Sequence, residues 1–191
     1  MKTKKKWNDW LWIWSALYLS LGFFNIMFAW LGLICFITPL LVAIFGKSKA
    51  YCNSYCGRSQ LFNLLGNKLH LSRNKPTPKW VRSKWWRYGF LTFFMTMFLN
   101  MLYVTFLVFN GTNGLKQAVK LLWTFKLPWQ FAYHGTPFIA EWTAQFAFGF
   151  YSIMLTSTVL GIITMILFKP RSWCVYCPMG TMTQTICRIQ K

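Results

Sequence analysis

Four of the six cysteines stand in two short motifs far apart in the chain, Cys52-Asn53-Ser54-Tyr55-Cys56 and Cys174-Val175-Tyr176-Cys177. Both pairs have an aromatic residue before each cysteine, and basic residues lie just upstream: Lys47 and Lys49 in one case, Lys169 and Arg171 in the other. Thiolates are soft ligands, and four of them suit an iron–sulfur cluster or a zinc ion. A bare C-x2-C dithiol, Cys174 with Cys177, is a third chemistry, a thiol–disulfide relay. Spacing alone leaves all three open. Pro178, directly after Cys177, favours the cluster, because proline after a ligand cysteine recurs in iron–sulfur motifs. Cys35 falls inside an apolar run and reads as a small packing residue. Cys187 reads first as a spectator and second as a replacement ligand.

What must position these pairs is a set of apolar helices. The chain has 191 residues, 55% of them hydrophobic, and a formal charge of +19 from 21 Lys and Arg against Asp9 and Glu141. Apolar content this high excludes a disordered basic tail. Uncharged stretches run from Trp10 to Gly46, Tyr88 to Leu115 and Trp142 to Phe168, and a membrane span needs roughly 20 apolar residues. We therefore expect an integral membrane protein.

The first stretch would form a helix of about 55 Å against a hydrocarbon core of about 30 Å. It reads as two short spans turning near Asn25 to Gly32, with Gly22, Asn25, Gly32 and Pro39 as available breaks. The charges agree. Four lysines precede it, ten Lys and Arg lie between Gly46 and Tyr88, and four follow Phe168, against Lys116, Lys120 and Lys126 alone between the last two stretches. With a hairpin first, the basic residues divide eighteen to three across the bilayer, as the positive-inside tendency favours. The basic charge then reflects orientation and attraction to anionic lipid rather than nucleic-acid binding. The N-terminal run has no convincing cleavage site and reads as retained.

The expected fold is all-α and polytopic, with four transmembrane helices and both termini cytoplasmic. Residues 10–46 form a helical hairpin, 47–87 a cytoplasmic loop with the first cysteine pair, and 88–109 the third span. Residues 110–141 form an external segment, 142–168 the fourth span, and 169–191 a cytoplasmic tail with the second pair. Each half is then a hairpin followed by a cysteine loop and a short helix, two parallel repeats about an axis along the membrane normal. That axis brings the four thiolates together. The short helices are expected at Ser59 to Leu65 and Thr181 to Ile189, with Thr181 as a cap.

Trp7, Trp10, Trp12, Trp14, Trp80, Trp85, Trp86 and Trp173 are expected at the inner interface, and Trp123, Trp129 and Trp142 at the outer one. In the external segment Leu115, Val119, Leu122 and Trp123 recur at helical spacing, which predicts an interfacial helix or, more sharply, a lid over a membrane-embedded ligand. His134 reads as an ordinary loop histidine, with contact to haem or a quinone as the sharper reading.

At the cysteine motifs the sequence resembles the NapH/NosR-type membrane polyferredoxin-like family, whose members carry C-x3-C-P motifs after transmembrane helices. It is also similar in its whole length to small 4Fe–4S binding membrane proteins of low-GC Gram-positive bacteria. Gly57 stands where the family has proline, and the second motif is one residue shorter between its cysteines. The resemblance implies a single [4Fe–4S] cluster on Cys52, Cys56, Cys174 and Cys177 at the cytoplasmic face of a bacterial cell membrane. It implies one-electron transfer between a cytoplasmic ferredoxin or flavoprotein and a quinone or membrane redox partner. No constellation of acids, bases and nucleophile points to independent enzyme activity. A zinc-clamped structural protein is the rival, with the dithiol relay behind it.

Overall fold

The computed structural model describes residues 10–48, 51–122, 124–128 and 140–190. The N-terminal lysines, Asp9, Trp7, Trp123, Trp129 and His134, with the haem and quinone readings placed on it, lie outside the described residues. The elements are α1 (Leu11–Phe24), α2 (Leu31–Gly46), α3 (Gly57–Asn63), α4 (Lys84–Phe109), the two-residue strands β1 (Lys120–Leu121) and β2 (Phe125–Lys126), α5 (Glu141–Leu167) and α6 (Pro178–Ile189). The protein is thus mostly helical.

The first apolar stretch breaks at Asn25. Its backbone is extended (φ −139°, ψ 119°) and its Oδ1 accepts the amide of Met27 at 3.1 Å. This is an N-cap that stops one helix and starts the next. A 3-10 turn, Ile26–Trp30, then leads into α2. Gly22, Gly32 and Pro39 all stay inside helices. The glycines serve close packing instead: a Cβ at Gly22 would overlap the ring of Tyr151. After the break the chain folds back, because Gly32 meets Tyr18 and Cys35 meets Trp14, an antiparallel register.

Three segments are long and apolar enough to cross a membrane, Ile26–Gly46, Lys84–Phe109 and Glu141–Leu167. At 14 residues α1 is shorter than a full span. Large apolar side chains such as Phe45, Leu99, Phe106 and Ile163 face outward, while Ser152, Thr156, Ser157, Thr158 and Thr164 are buried. Those hydroxyls are satisfied within α5; Ser152, Thr156, Thr158 and Thr164, for example, donate to the carbonyls of Phe148, Ser152, Met154 and Leu160 at 2.7–2.8 Å. A hydroxyl closed back onto its own helix loses its cost of burial.

The chain divides into two compact units. One comprises Met1–Leu17, Ile34–Leu91 and Leu160–Lys191 and contains all six cysteines. Its core is Phe62, Val81, Met165, Trp173 and Tyr176. Trp173 was expected at an interface but is only 2% exposed, packed edge-on against Phe90 and Tyr176. The other unit comprises Tyr18–Leu33 and Thr92–Val159, with a core of Ile26, Ala29, Val119, Ala147, Phe148 and Tyr151.

The expected interfacial helix in segment 110–141 does not form among the described residues. Residues 114–119 are irregular, and β1 and β2 pair antiparallel in the register Lys120 to Lys126 and Leu121 to Phe125. The reason is a competition for backbone amides. Those of Lys116, Lys120 and Leu122 donate to Gln145 Oε1 (2.9 Å), Ser152 Oγ (3.0 Å) and Thr156 Oγ1 (3.3 Å) of α5. These acceptors lie on one stripe of α5. A helix would have spent the same amides internally.

Candidate metal centre

Both cysteine pairs are built alike. In the first, Cys52 lies in a single π-helical turn, Tyr51–Tyr55, and Cys56 is extended (φ −71°, ψ 104°) as the N-cap residue of α3. In the second, Cys174 lies in a 3-10 turn, Ser172–Val175, and Cys177 is extended (φ −51°, ψ 130°) as the N-cap residue of α6, with Pro178 in the first turn. Proline suits that position because its amide would have no partner there. The cap is therefore the second cysteine of each pair, not Thr181. Thr181 sits inside α6, its hydroxyl donating to Cys177 O at 3.1 Å.

The two motifs hold one another crosswise. The Cys174 thiol donates to Ser59 Oγ on α3 (3.4 Å), and Cys52 Sγ lies 3.6 Å from Thr183 Oγ1 on α6. Each pair thus touches a hydroxyl on the short helix that follows the other pair. Nearby segments tighten the arrangement. Arg73 N donates to Ile166 O at 3.0 Å, the Ser72 hydroxyl to Phe168 O, and Thr77 meets Ser172 at 3.2 Å. At its far end α6 is tied to α2 by Gln190 Nε2 on Ile44 O at 3.1 Å.

Gly57 explains the departure from proline after the first pair. A Cβ there would lie 2.5 Å from Leu11 O and 2.6 Å from Ser15 Oγ. The start of α3 is pressed against α1, and only glycine allows that approach.

Electrostatically the thiols share one neighbourhood. Cys174 feels Cys56 and Cys52, and Cys177 feels Cys174 and Cys56. Burial holds the Cys174 thiol above its ordinary range, opposed by the Ser59 hydrogen bond and by Arg171. Burial pushes the Cys177 thiol up to about 12, opposed by the Gly180 amide and Arg58. Both are neutral thiols near pH 7 in the absence of a ligand. Among the described residues no three Cys, His, Asp or Glu side chains are gathered closely enough to grip a metal ion. The two pairs lie in one neighbourhood, with Ser59 beside Cys174 and Thr183 beside Cys52.

The residues present fit an iron–sulfur centre. The donors are all soft sulfur, and Arg58 and Arg171 supply positive charge beside them. The indole N–H of buried Trp173, next to Cys174 in sequence, has no hydrogen-bond partner among the described residues. Ser59, Thr183 and Trp173 were missed as site residues from the sequence, because hydroxyls and indoles carry no spacing signature. Cys35 is also nearer than expected: on α2 it interacts with Trp14, Tyr51, Cys56 and Arg58.

Residues 28–76 and 152–191 match the family model of a 4Fe–4S binding domain. Each matched segment carries one cysteine pair. This is an iron–sulfur protein, and its cofactor is a [4Fe–4S] cluster. No curated protein and no solved structure matches the chain. Nothing in the match supports zinc.

Proposed function

We propose that this iron–sulfur protein is a membrane electron-transfer component holding one [4Fe–4S] cluster on Cys52, Cys56, Cys174 and Cys177. The observation that carries the reading is the crosswise contact between the two motifs, Cys174 with Ser59 and Cys52 with Thr183, across sequence separations of 115 and 131 residues. Two thiol pairs so far apart in sequence, each met by a hydroxyl of the helix that follows the other, support one centre that uses both.

A bound cluster supplies reversible one-electron transfer. The chain's own residues do the rest. Cys56 and Cys177 hold their sulfurs at helix starts, where amides favour negative charge. Arg58 and Arg171 offset the net negative charge that four thiolates bring. The Phe62, Trp173 and Tyr176 core is buried and excludes water.

Three long apolar segments and the outward-facing apolar side chains support the membrane setting. The folded-back α1 and α2 support a first hairpin, giving four spans in the cell membrane of a bacterium with both termini and the cluster on the cytoplasmic side. The proposed partners are a cytoplasmic ferredoxin or flavoprotein and, in the bilayer, a quinone or another redox subunit. No independent turnover is proposed.

The test is a reductive titration of isolated membranes followed by electron paramagnetic resonance. Reduction by dithionite is expected to produce a one-electron, cluster-type signal that reoxidation removes. A protein with no redox-active signal would remove the electron-transfer reading.

A further inference from the structure

The segment that failed to become a helix builds something else. Its amides meet α5 at Gln145, then Ser152, then Thr156. At 1.5 Å per residue, the climb from Gln145 to Thr156 is about 16 Å. From Lys116 to Leu122 the chain, irregular as far as Val119 and then in the short strand Lys120–Leu121, keeps pace with that climb through its three amide contacts. The segment therefore runs alongside α5, and the contact with Ser152 lies about 16 Å from the start of that helix. In a bilayer with a core of about 30 Å, that is a re-entrant, non-helical segment. Non-helical backbone at such depth is tolerated where protein covers it or a cavity adjoins it.

A cavity does adjoin it. It has a volume of about 150 Å³ and is lined by Lys116 and Lys120 from the segment, Asn100 and Met101 from α4, and Gln145 and Ser152 from α5, among others. Gly149 of α5 also lines it, where a Cβ would overlap Met101. The hydrogen-bonding inventory is one-sided. Gln145 Oε1 accepts the Lys116 amide. Ser152 Oγ accepts the Lys120 amide and donates to Phe148 O. Two acceptors are thus taken, the ammonium groups of Lys116 and Lys120 and the amide NH2 of Gln145 are donors, and Asn100 adds one amide carrying both a donor and an acceptor. No carboxylate is among the described lining residues. A lysine at membrane depth is costly unless it faces a polar cavity or a partner.

We propose that this cavity binds the headgroup of a membrane-soluble molecule whose oxygens accept hydrogen bonds from Lys116 and Lys120. A space of this size matches one six-membered ring, since a cavity of about 150 Å³ holds benzene. It also admits one phosphate group. The shared chemistry is an oxygen acceptor carried on a lipid tail, either a ring bearing carbonyls or the phosphate of an anionic lipid. The inference rests on the membrane setting but not on the cysteine assignment.

The experiment uses the full chain purified in a neutral detergent with its cluster intact, its iron content measured on each sample. Decylubiquinone is the ring probe and phosphatidylglycerol the phosphate probe, each titrated separately by intrinsic fluorescence. Lys120→Met keeps the length of the side chain and removes its charge, and Lys120→Arg restores charge. Lys126 pairs with Lys120 across the strands but does not line the cavity, so Lys126→Met is the control. One probe is expected to bind, with Lys120→Met weakening it at least tenfold, Lys120→Arg within threefold of wild type, and Lys126→Met unchanged. Which probe responds names the source. Binding of neither probe, or equal weakening by Lys120→Met and Lys126→Met, overturns the proposal. Loss of iron in the cysteine variants without change in probe binding would separate this site from the cluster.

Discussion

Gly161 is the point where the first cysteine motif leans on the helix that leads to the second. A Cβ on it would lie 2.5 Å from Phe62 Cε2, and Phe62, on α3 six residues after Cys56, is fully buried. Replacing Gly161 by Leu drives a branched side chain into that ring. Overpacking costs about 1–3 kcal/mol and sometimes more, and removal of a helical glycine returns up to about 1 kcal/mol. A net loss of about 2 kcal/mol corresponds to a drop of about 4–8 °C in melting temperature for a chain of this size. The assay is a thermal melt in detergent, with iron retention in the presence of a chelator measured in parallel. Both should fall. Phe62→Ala alone should also destabilise, by about 3–5 kcal/mol, through the cavity it leaves. The Gly161→Leu, Phe62→Ala double variant should be more stable than the sum of the two changes implies, because the new side chain fills that cavity. A wild-type melt for Gly161→Leu, or strict additivity in the double variant, would refute the packing of α3 on α5.

Ser59→Ala removes the hydroxyl beside Cys174, which donates to the sulfur once that sulfur is a thiolate. Such hydrogen bonds favour the more negative reduced state, so the cluster potential should become more negative at unchanged iron content; an unchanged or raised potential would count against it. In cluster-free protein the Cys177 thiol titrates near pH 12, above the ordinary thiol value. Its alkylation by iodoacetamide should stay slow through pH 9 and accelerate only above that, whereas in the urea-unfolded chain it should already be fast near pH 9. By linkage the folded cluster-free form binds more protons than the unfolded chain between about 9 and 12, so its stability should fall as pH rises through that window. Reporter tags on the two termini should both read the cytoplasm, and an external N-terminus would defeat the four-span topology.

The iron–sulfur character was legible because thiols at short spacings point to that chemistry, and the 4Fe–4S family match spans both motifs. A break in the first stretch was legible, but not which of Gly22, Asn25, Gly32 and Pro39 makes it; the side chain of Asn25 decides, by accepting the Met27 amide. What surrounds the sulfurs was not legible. Ser59 and Thr183 reach the thiols from the opposite motif, and nothing local marks a hydroxyl for that role. The helix starts were misplaced because the cysteines themselves occupy the cap positions. The segment around Lys120 was misread for a physical reason. Leu115, Val119 and Leu122 have helical spacing, but the acceptors that claim the neighbouring amides lie 29–34 residues away on α5. Trp173 looked like an interfacial anchor, yet Phe90 and Tyr176 enclose it.

The most direct test is iron and acid-labile sulfide analysis of the protein purified under argon, as wild type and with Cys52, Cys56, Cys174, Cys177 or Cys35 changed singly to Ala. About four iron and four sulfide per chain are expected for the wild type, as a [4Fe–4S] core requires. Both should fall in the first four variants and persist in Cys35→Ala. Stoichiometric zinc without sulfide, or equal iron in all five variants, would contradict a cluster shared by the two motifs.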